Sequence, residues 1–189
     1  MEKRIKEIRL VEMRAVDNEE KMIVEGYAAT FESVTDLGWI KEVIDKRAFD
    51  ECDMTDVCMK YNHSDELLIM ARTRNGSLQL AVDDIGLKIR AELIDTTQNK
   101  DIYKMIQARL LTKMSFAFTV DEEEIDYETD TRRITKIGKL FDVSVVDVPA
   151  YESTEIYART KEQFEKDKEE YEERKLKLAK AKAIALLSL

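Results

Sequence analysis

Apolar residues recur at every second position in several segments of this chain, and this period restricts its fold more than any other feature. Residues 87–93 are the clearest case, because charged residues alternate there with Leu87, Ile89, Ala91 and Leu93. Successive side chains of a β-strand point to opposite faces, so this period indicates a strand with one buried face. Residues 8–16 alternate in the same way. The sequence therefore predicts a mainly β protein.

Turn, cap and breaker residues divide the chain into elements. Asn75-Gly76 is a strong hairpin signal, because both positions of the turn must accept a positive φ. Asp95-Thr96-Thr97 offers caps for a following helix. The predicted elements are a hairpin of 8–16 and 22–31, a short helix at 45–52, a strand at 57–61, a hairpin around 75–76, a strand at 87–93, a helix at 99–111, and a last strand at 140–148 that Pro149 ends.

The composition changes at residue 160. The stretch from Lys161 to Lys182 is rich in Glu and Lys, which are good helix formers and lie three and four positions apart with opposite charge. It predicts a long, charged and exposed C-terminal helix. We therefore divide the chain into a domain of residues 1–159 and a helical tail of residues 160–189. The tail's only sustained apolar run, 183–187, is its candidate docking segment.

Charge and cysteine content argue against several classes of protein. The chain carries 31 basic and 40 acidic residues, a net charge of -9. Nucleic-acid affinity depends on clustered Lys and Arg, so no nucleic-acid partner is expected. Cys52 and Cys58 are the only cysteines, which indicates a reducing intracellular environment. With one histidine besides, they do not supply a zinc site, and no metal or cofactor is expected.

Targeting and membrane signals are not recognisable in the sequence. The N-terminal residues are charged and lack the apolar core of a signal peptide. No stretch is long and apolar enough to span a bilayer. No membrane partner is expected.

One serine interrupts an apolar segment with aromatic residues. Ser115 lies in Lys113-Met114-Ser115-Phe116-Ala117-Phe118, which otherwise predicts a buried strand. A buried hydroxyl commonly bonds to neighbouring backbone, and that is the structural interpretation. The functional interpretation is a nucleophile, which requires a base and a residue that orients the base.

His63 is the only histidine of the chain and therefore the only candidate imidazole base. It follows directly on the strand predicted at 57–61, and loops at strand ends often carry catalytic groups. A lone histidine is more often structural. The acid that would orient it is Asp142 or Asp147, which lie within or beside an apolar strand on opposite faces. Cys58 paired with His63 is an alternative nucleophile.

The chain resembles the tailed-phage (caudovirus) prohead serine protease family, whose fold is similar to that of the herpesvirus assemblins. The resemblance covers roughly residues 14–159. It depends on the order and spacing of short motifs: Val24-Glu25-Gly26-Tyr27-Ala28, Ala48-Phe49, Asn62-His63, Gly76-Ser77-Leu78, Gly86-Leu87, Met114-Ser115-Phe116-Ala117-Phe118, Asp142-Val143-Ser144-Val145-Val146 and Pro149-Ala150. Lys46-Arg47 departs from the family, in which a glycine is commoner before Ala-Phe.

The resemblance implies an antiparallel β-barrel of the assemblin type with flanking helices. It implies Ser115 as the nucleophile and His63 as the base. Family members carry an acid just before Val-Ser, which matches Asp142, whereas the herpesvirus relatives hold a histidine at the comparable place. The oxyanion hole is not assigned, because backbone N–H groups and an arginine both fit.

The implied function is a serine endopeptidase of phage capsid maturation. Its protein partners would be the scaffold and the major capsid protein with its scaffolding segment, and the enzyme would also cleave itself. It would act in the host cytoplasm inside the assembling procapsid, and a homodimer is possible because the herpesvirus relatives dimerise. The alternative is a catalytically inactive assembly or scaffold-type protein on the same fold.

Overall fold

Ten β-strands and two α-helices make up the described part of the chain, which comprises residues 6–16, 21–67, 69–147 and 155–187 in a computed structural model. The elements are β1 (Lys6–Val16), β2 (Met22–Thr30), β3 (Thr35–Asp36), β4 (Lys41–Ile44), β5 (Cys58–Tyr61), β6 (Ala71–Arg72), β7 (Leu78–Val82), β8 (Gly86–Leu93), α1 (Thr97–Gln107), β9 (Lys113–Asp126), β10 (Thr131–Val146) and α2 (Glu155–Leu187). The prediction of a mainly β protein with a C-terminal helix is confirmed. Pro149 lies outside the described residues.

The strands form one sheet in the order β3-β4-β10-β9-β1-β2-β8-β7. β10 is its longest strand, and it pairs antiparallel with β9 along nearly its whole length. Its other edge pairs parallel with β4 through 131–134 and parallel with β5 through 142–145. β10 therefore pairs both with β4, near one end of the strand order, and with β5, the short strand that precedes His63.

The expected closed antiparallel barrel is not seen. In the described part of the chain, no ladder joins β3 to β7, the two ends of the strand path. The two parallel pairs of β10 also make the sheet mixed. The barrel was implied by the family resemblance, and the sequence could not test it, because the period of two is the same in parallel and antiparallel strands and gives no strand direction.

The N-terminal hairpin and the helix α1 form as predicted. β1 pairs antiparallel with β2, with Met13 opposite Gly26. The helix begins after Thr96, whose side chain accepts a hydrogen bond from the backbone N–H of Asn99. Its buried face includes Ile102 and Ile106. This face packs into the core beside β1 and β2.

Two local predictions are wrong. Residues 45–52 form successive turns rather than a helix, because backbone groups of this segment and of Asp53 hydrogen-bond to β10: Ile137 N–H donates to Ala48 O, and Asp53 N–H donates to Gly138 O.

The predicted hairpin at Asn75-Gly76 is also not formed, because this dipeptide does not join two paired strands. It ends a 3-10 turn in which Gly76 has a φ of 75°, and the preceding strand β6 pairs with β5 instead of β7. A strand partner far along the chain thus overrides local turn chemistry.

The helix α2 packs on the body through aromatic side chains near its beginning. Phe164 is buried against Trp39 and Tyr127, at ring-centroid distances of 5.3 and 5.5 Å. Lys168 and Asp130 form an ion pair at 2.5 Å. The side chains of residues 172–183 are exposed. The predicted docking segment 183–187 lies almost entirely outside the residues whose side chains the structure describes.

Within the described residues, neither helix combines the length and the apolar character that a bilayer crossing requires.

Candidate active site

Ser115 and Asp142 lie on the same face of the sheet. Ser115 of β9 is directly opposite Ser144 of β10, and opposite residues of an antiparallel pair share a face. Asp142 precedes Ser144 by two positions and therefore also lies on this face. All three residues are buried. The apolar strand predicted around Ser115 thus brings its hydroxyl to a polar strip inside the core.

A tight turn after β5 places His63 over this strip. Asn62 and His63 both have left-handed backbones, with φ of 50° and 54°. Such a conformation is unfavourable for residues other than glycine unless surrounding contacts hold it. Here the N–H of Asn62 donates to Val145 O at 2.8 Å, and the N–H of His63 donates to Ser144 Oγ at 3.3 Å. The end of β10 therefore holds the turn in place.

His63 and Asp142 form the short hydrogen bond of the site. Nδ1 of His63 is 2.5 Å from Oδ1 of Asp142, and Ser144 Oγ–H donates to the same oxygen at 2.9 Å. A buried carboxylate needs such partners because it is removed from water. A carboxylate accepts from Nδ1–H, so this contact leaves Nε2 as the atom that can accept a proton. This is the arrangement of a base held by an acid.

Two atoms of the site have no hydrogen-bond partner in the described part of the chain: Ser115 Oγ and His63 Nε2, both buried. Buried polar atoms are normally satisfied, so two orphans on one strip are unusual. They are also the two atoms between which a serine protease transfers a proton. No hydrogen bond joins them here among the described residues, and catalytic hydrogen bonds are often long before substrate binds.

The competing site residues lie elsewhere. Asp147 is exposed and accepts a hydrogen bond from the Tyr61 hydroxyl at 3.0 Å, so Asp142 and not Asp147 contacts the imidazole.

The alternative nucleophile, Cys58, is a free, half-buried thiol level with Asp142 on the neighbouring strand. Asp142 occupies Nδ1 of His63, and Nε2 has no partner among the described residues. The thiol is therefore not hydrogen-bonded to the imidazole.

A lysine adds positive charge beside the site. Lys60 is level with Ser144 on the parallel strand β5 and pairs with Asp65. Partial burial lowers the pKa of Lys60, but the hydrogen bond to Asp65 and the negative charge of Asp142 raise it, and the net pKa lies above its ordinary value. Lys60 therefore stays protonated at neutral pH.

Sequence reasoning missed Ser144. The signal was available, because Ser144 is a hydroxyl residue two positions after Asp142 in an apolar strand and must share its face. No three His, Cys, Asp or Glu side chains of the described residues are grouped so that they could hold a metal ion.

Comparison with known proteins points to one family. The model of a family described as caudovirus prohead serine protease matches residues 9–170. Among solved structures, the chain is similar to the bacteriophage T4 capsid assembly protease gp21, with a TM-score of 0.55 and 14% identity over 75% of this chain and 96% of that one. At this identity, the similarity shows the fold. Comparison with curated proteins gives no match.

Proposed function

Because this chain belongs to the caudovirus prohead serine protease family, we propose that it is a serine endopeptidase of phage capsid maturation. The observation that carries the proposal is the hydrogen bond between His63 and Asp142 on the strip that also holds Ser115. The nucleophile is Ser115, the general base is His63, and Asp142 orients the base.

The proposed chemistry is acyl transfer to serine and then to water. Ser115 Oγ attacks the peptide carbonyl carbon while His63 Nε2 takes the hydroxyl proton, and Asp142 stabilises the imidazolium. The tetrahedral intermediate collapses when His63 gives this proton to the leaving amine, which breaks the C–N bond and leaves an acyl-enzyme. In the second half, His63 Nε2 takes a proton from a water molecule that attacks the ester carbonyl carbon. His63 then gives this proton to Ser115 Oγ as the ester C–O bond breaks, which releases the carboxyl product and regenerates the Ser115 hydroxyl.

The side chains that cover Ser115 must move before this chemistry. Ser115 is fully buried and its Oγ is closed to water. A peptide carbonyl reaches it only if the side chains that cover it move. Movements that admit a peptide carbonyl also admit a small serine-directed probe, so both should react with Ser115 in the isolated chain.

The proposed substrates are scaffold protein, or the scaffolding segment of the major capsid protein, together with the protease itself. The similar T4 protein is a capsid assembly protease, which supports a substrate in the assembling shell. The proposed place of action is the procapsid in the host cytoplasm. The homodimer and the assemblin type of the fold stay predictions.

A catalytically inactive assembly protein is the second candidate. It is favoured by one observation, that no hydrogen bond activates Ser115 among the described residues. In this alternative the chain would bind scaffold or capsid protein without hydrolysing a peptide bond.

Co-expression with the cognate major capsid protein separates the two candidates. We expect the unchanged chain to shorten the capsid protein or its scaffold, as detected by intact-mass spectrometry. Ser115→Ala should abolish this processing, whereas Ser33→Ala, at an exposed serine, should retain it. Processing that survives in Ser115→Ala would exclude Ser115 as the nucleophile, and its absence in all three would favour the assembly protein.

A further inference from the structure

Ser144 connects the three proposed catalytic residues. Its hydroxyl donates to Asp142 Oδ1 at 2.9 Å and accepts from the backbone N–H of His63 at 3.3 Å. On the neighbouring strand it is directly opposite Ser115. It is also fully buried. Among the described residues, no other side chain hydrogen-bonds to both partners of the His63–Asp142 pair.

The first contact restricts the carboxylate. The terminal torsion of an aspartate is broad, so each hydrogen bond to the carboxylate narrows the range of orientations of its plane. The hydroxyl of Ser144 supplies a second donor to the same oxygen. His63 Nδ1–H and Ser144 Oγ–H thus both donate to Oδ1, and the second bond helps to hold Oδ1 where it receives Nδ1–H.

The second contact restricts the imidazole through its backbone. His63 has a left-handed conformation that local sterics disfavour. The hydroxyl of Ser144 accepts the N–H of this residue and so favours the turn that brings the ring to Asp142. One hydroxyl thus links the conformation of the turn to the orientation of the acid.

We propose that Ser144 is a positioning residue of the protease site, which holds His63 in the Nδ1–H tautomer against Asp142. This inference rests on the proposed function. Ser144 acts through these two residues and takes no part in bond making. The charged or titratable groups beside it on the packed strand β5 are Lys60, level with Ser144, and Cys58, level with Asp142.

The kinetic test uses the full chain and a fluorophosphonate, a probe whose phosphorus is attacked by the activated serine Oγ with release of fluoride. Ser144→Ala should lower the maximal labelling rate of Ser115 by about 10- to 100-fold, which corresponds to one hydrogen bond to a charged group. The half-saturating probe concentration should stay within about twofold, because Ser144 does not bind the probe.

Ser144→Thr and Ser144→Val form the matched pair. The two side chains have nearly the same shape and bring the same added methyl group into a buried position, so their difference isolates the hydroxyl. Ser144→Thr should label faster than Ser144→Val by the same 10- to 100-fold. Equal rates in this pair would overturn the proposal, even if Ser144→Ala failed to fold.

The second readout is independent of protease activity. His63 is the only histidine, so its imidazole resonances are unambiguous. In a Ser115→Ala background, which prevents self-cleavage, the ring ¹⁵N shifts should report one tautomer and a low-field Nδ1–H. Adding Ser144→Ala should mix the tautomers and weaken that signal. Imidazole resonances that stay the same in Ser144→Ala would overturn this inference and leave the protease function intact. If the chain without substitutions is not labelled at Ser115, the proposed function itself is contradicted.

Discussion

Asp142 and Asp147 have the same side chain and lie five positions apart, yet their surroundings give them different chemistry. Asp142 is buried and contacts His63, whereas Asp147 is exposed and accepts from Tyr61. An acid can hold an imidazole in one tautomer only if it is itself held, and burial among donors does this. The proposed third catalytic member is therefore Asp142.

Asp142→Asn should reduce capsid-protein processing by about 10²- to 10⁴-fold, because an amide of the same size favours the wrong imidazole tautomer. The rate is measured in a time course of co-expressed or mixed proteins, with circular dichroism as the check on folding. Asp147→Asn is the matched control and should lose less than about tenfold. A larger loss in Asp147→Asn than in Asp142→Asn would contradict the assignment.

Cys52 should react slowly with alkylating agents, since burial raises its pKa to about 11. The thiolate is the reactive form, so roughly one molecule in a thousand is reactive at pH 8. The alkylation rate of Cys52 should rise about tenfold per pH unit between pH 8 and 10. Peptide mass spectrometry after iodoacetamide treatment measures this, and a rate that does not change with pH would contradict the burial of the thiol.

Sequence reasoning found individual residues of the site better than their connections. Ser115 and His63 could be selected because each is unusual, one as a hydroxyl in an apolar strand and one as the only histidine. Asp142 and Asp147 were both candidates from the sequence pattern, and the family resemblance favoured Asp142. Alternation alone places Ser144 on the face of Asp142. Its contact with His63 could not be predicted, because it requires knowing that β5 and β10 are parallel neighbours, which brings the turn after Tyr61 to the end of β10.

At the scale of elements, β10 organises the molecule. It pairs with β9, which carries Ser115, and with β5, which leads into His63, while it carries Asp142 itself. Apolar segments around Ser115, at 57–61 and at 140–148 predicted strands here, but such segments have no information about which strands pair or in which direction. Pairings of this kind depend on contacts between segments far apart in the chain.

The antiparallel pairing of β2 with β8 leaves no room for a side chain at Gly86. A Cβ there would overlap the carbonyl oxygen of Ala29 and lie 3.0 Å from the Cα of Thr30. Gly86→Ala should lower the free energy of unfolding by about 1 to 3 kcal/mol or more, because backbone atoms cannot move aside easily. Urea denaturation measures the change.

Gly76→Ala is the control for the glycine prediction. Gly76 has a φ of 75°, but nothing lies within 4 Å of an added Cβ. The substitution should therefore lower the free energy of unfolding by only the left-handed penalty, about 1 to 2 kcal/mol. If Gly76→Ala were clearly more destabilising than Gly86→Ala, the close approach of β2 and β8 at Gly86 would be wrong.

At the scale of the whole molecule, the long C-terminal helix packs on the body near its beginning and exposes its side chains over residues 172–183. Phe164 joins the small cluster with Trp39, and Tyr171 donates a hydrogen bond to Glu128. Leu176 and Leu178 are exposed beyond these contacts. The sequence predicted the helix correctly but not the face that packs on the body. Phe164 and Tyr171, seven positions apart among charged residues, are too weak a pattern to predict it.

Phe164→Ala should loosen the docking of α2, with a loss of roughly 3 kcal/mol of packing free energy. Trp39 is the only tryptophan, so its fluorescence reports this contact directly. We expect the emission maximum to shift to longer wavelength as water reaches the indole. Leu176→Ala, at an exposed position, should leave the emission unchanged; an unchanged emission in Phe164→Ala would contradict the docking.

The central claim is that Ser115 is a nucleophile activated by His63. Its most direct test is treatment of the full chain with a fluorophosphonate, followed by mass spectrometry of the modified peptide. We expect an adduct on Ser115 that forms at least about 10³-fold more slowly in His63→Ala. An adduct on another residue, or an equal labelling rate in His63→Ala, would contradict it.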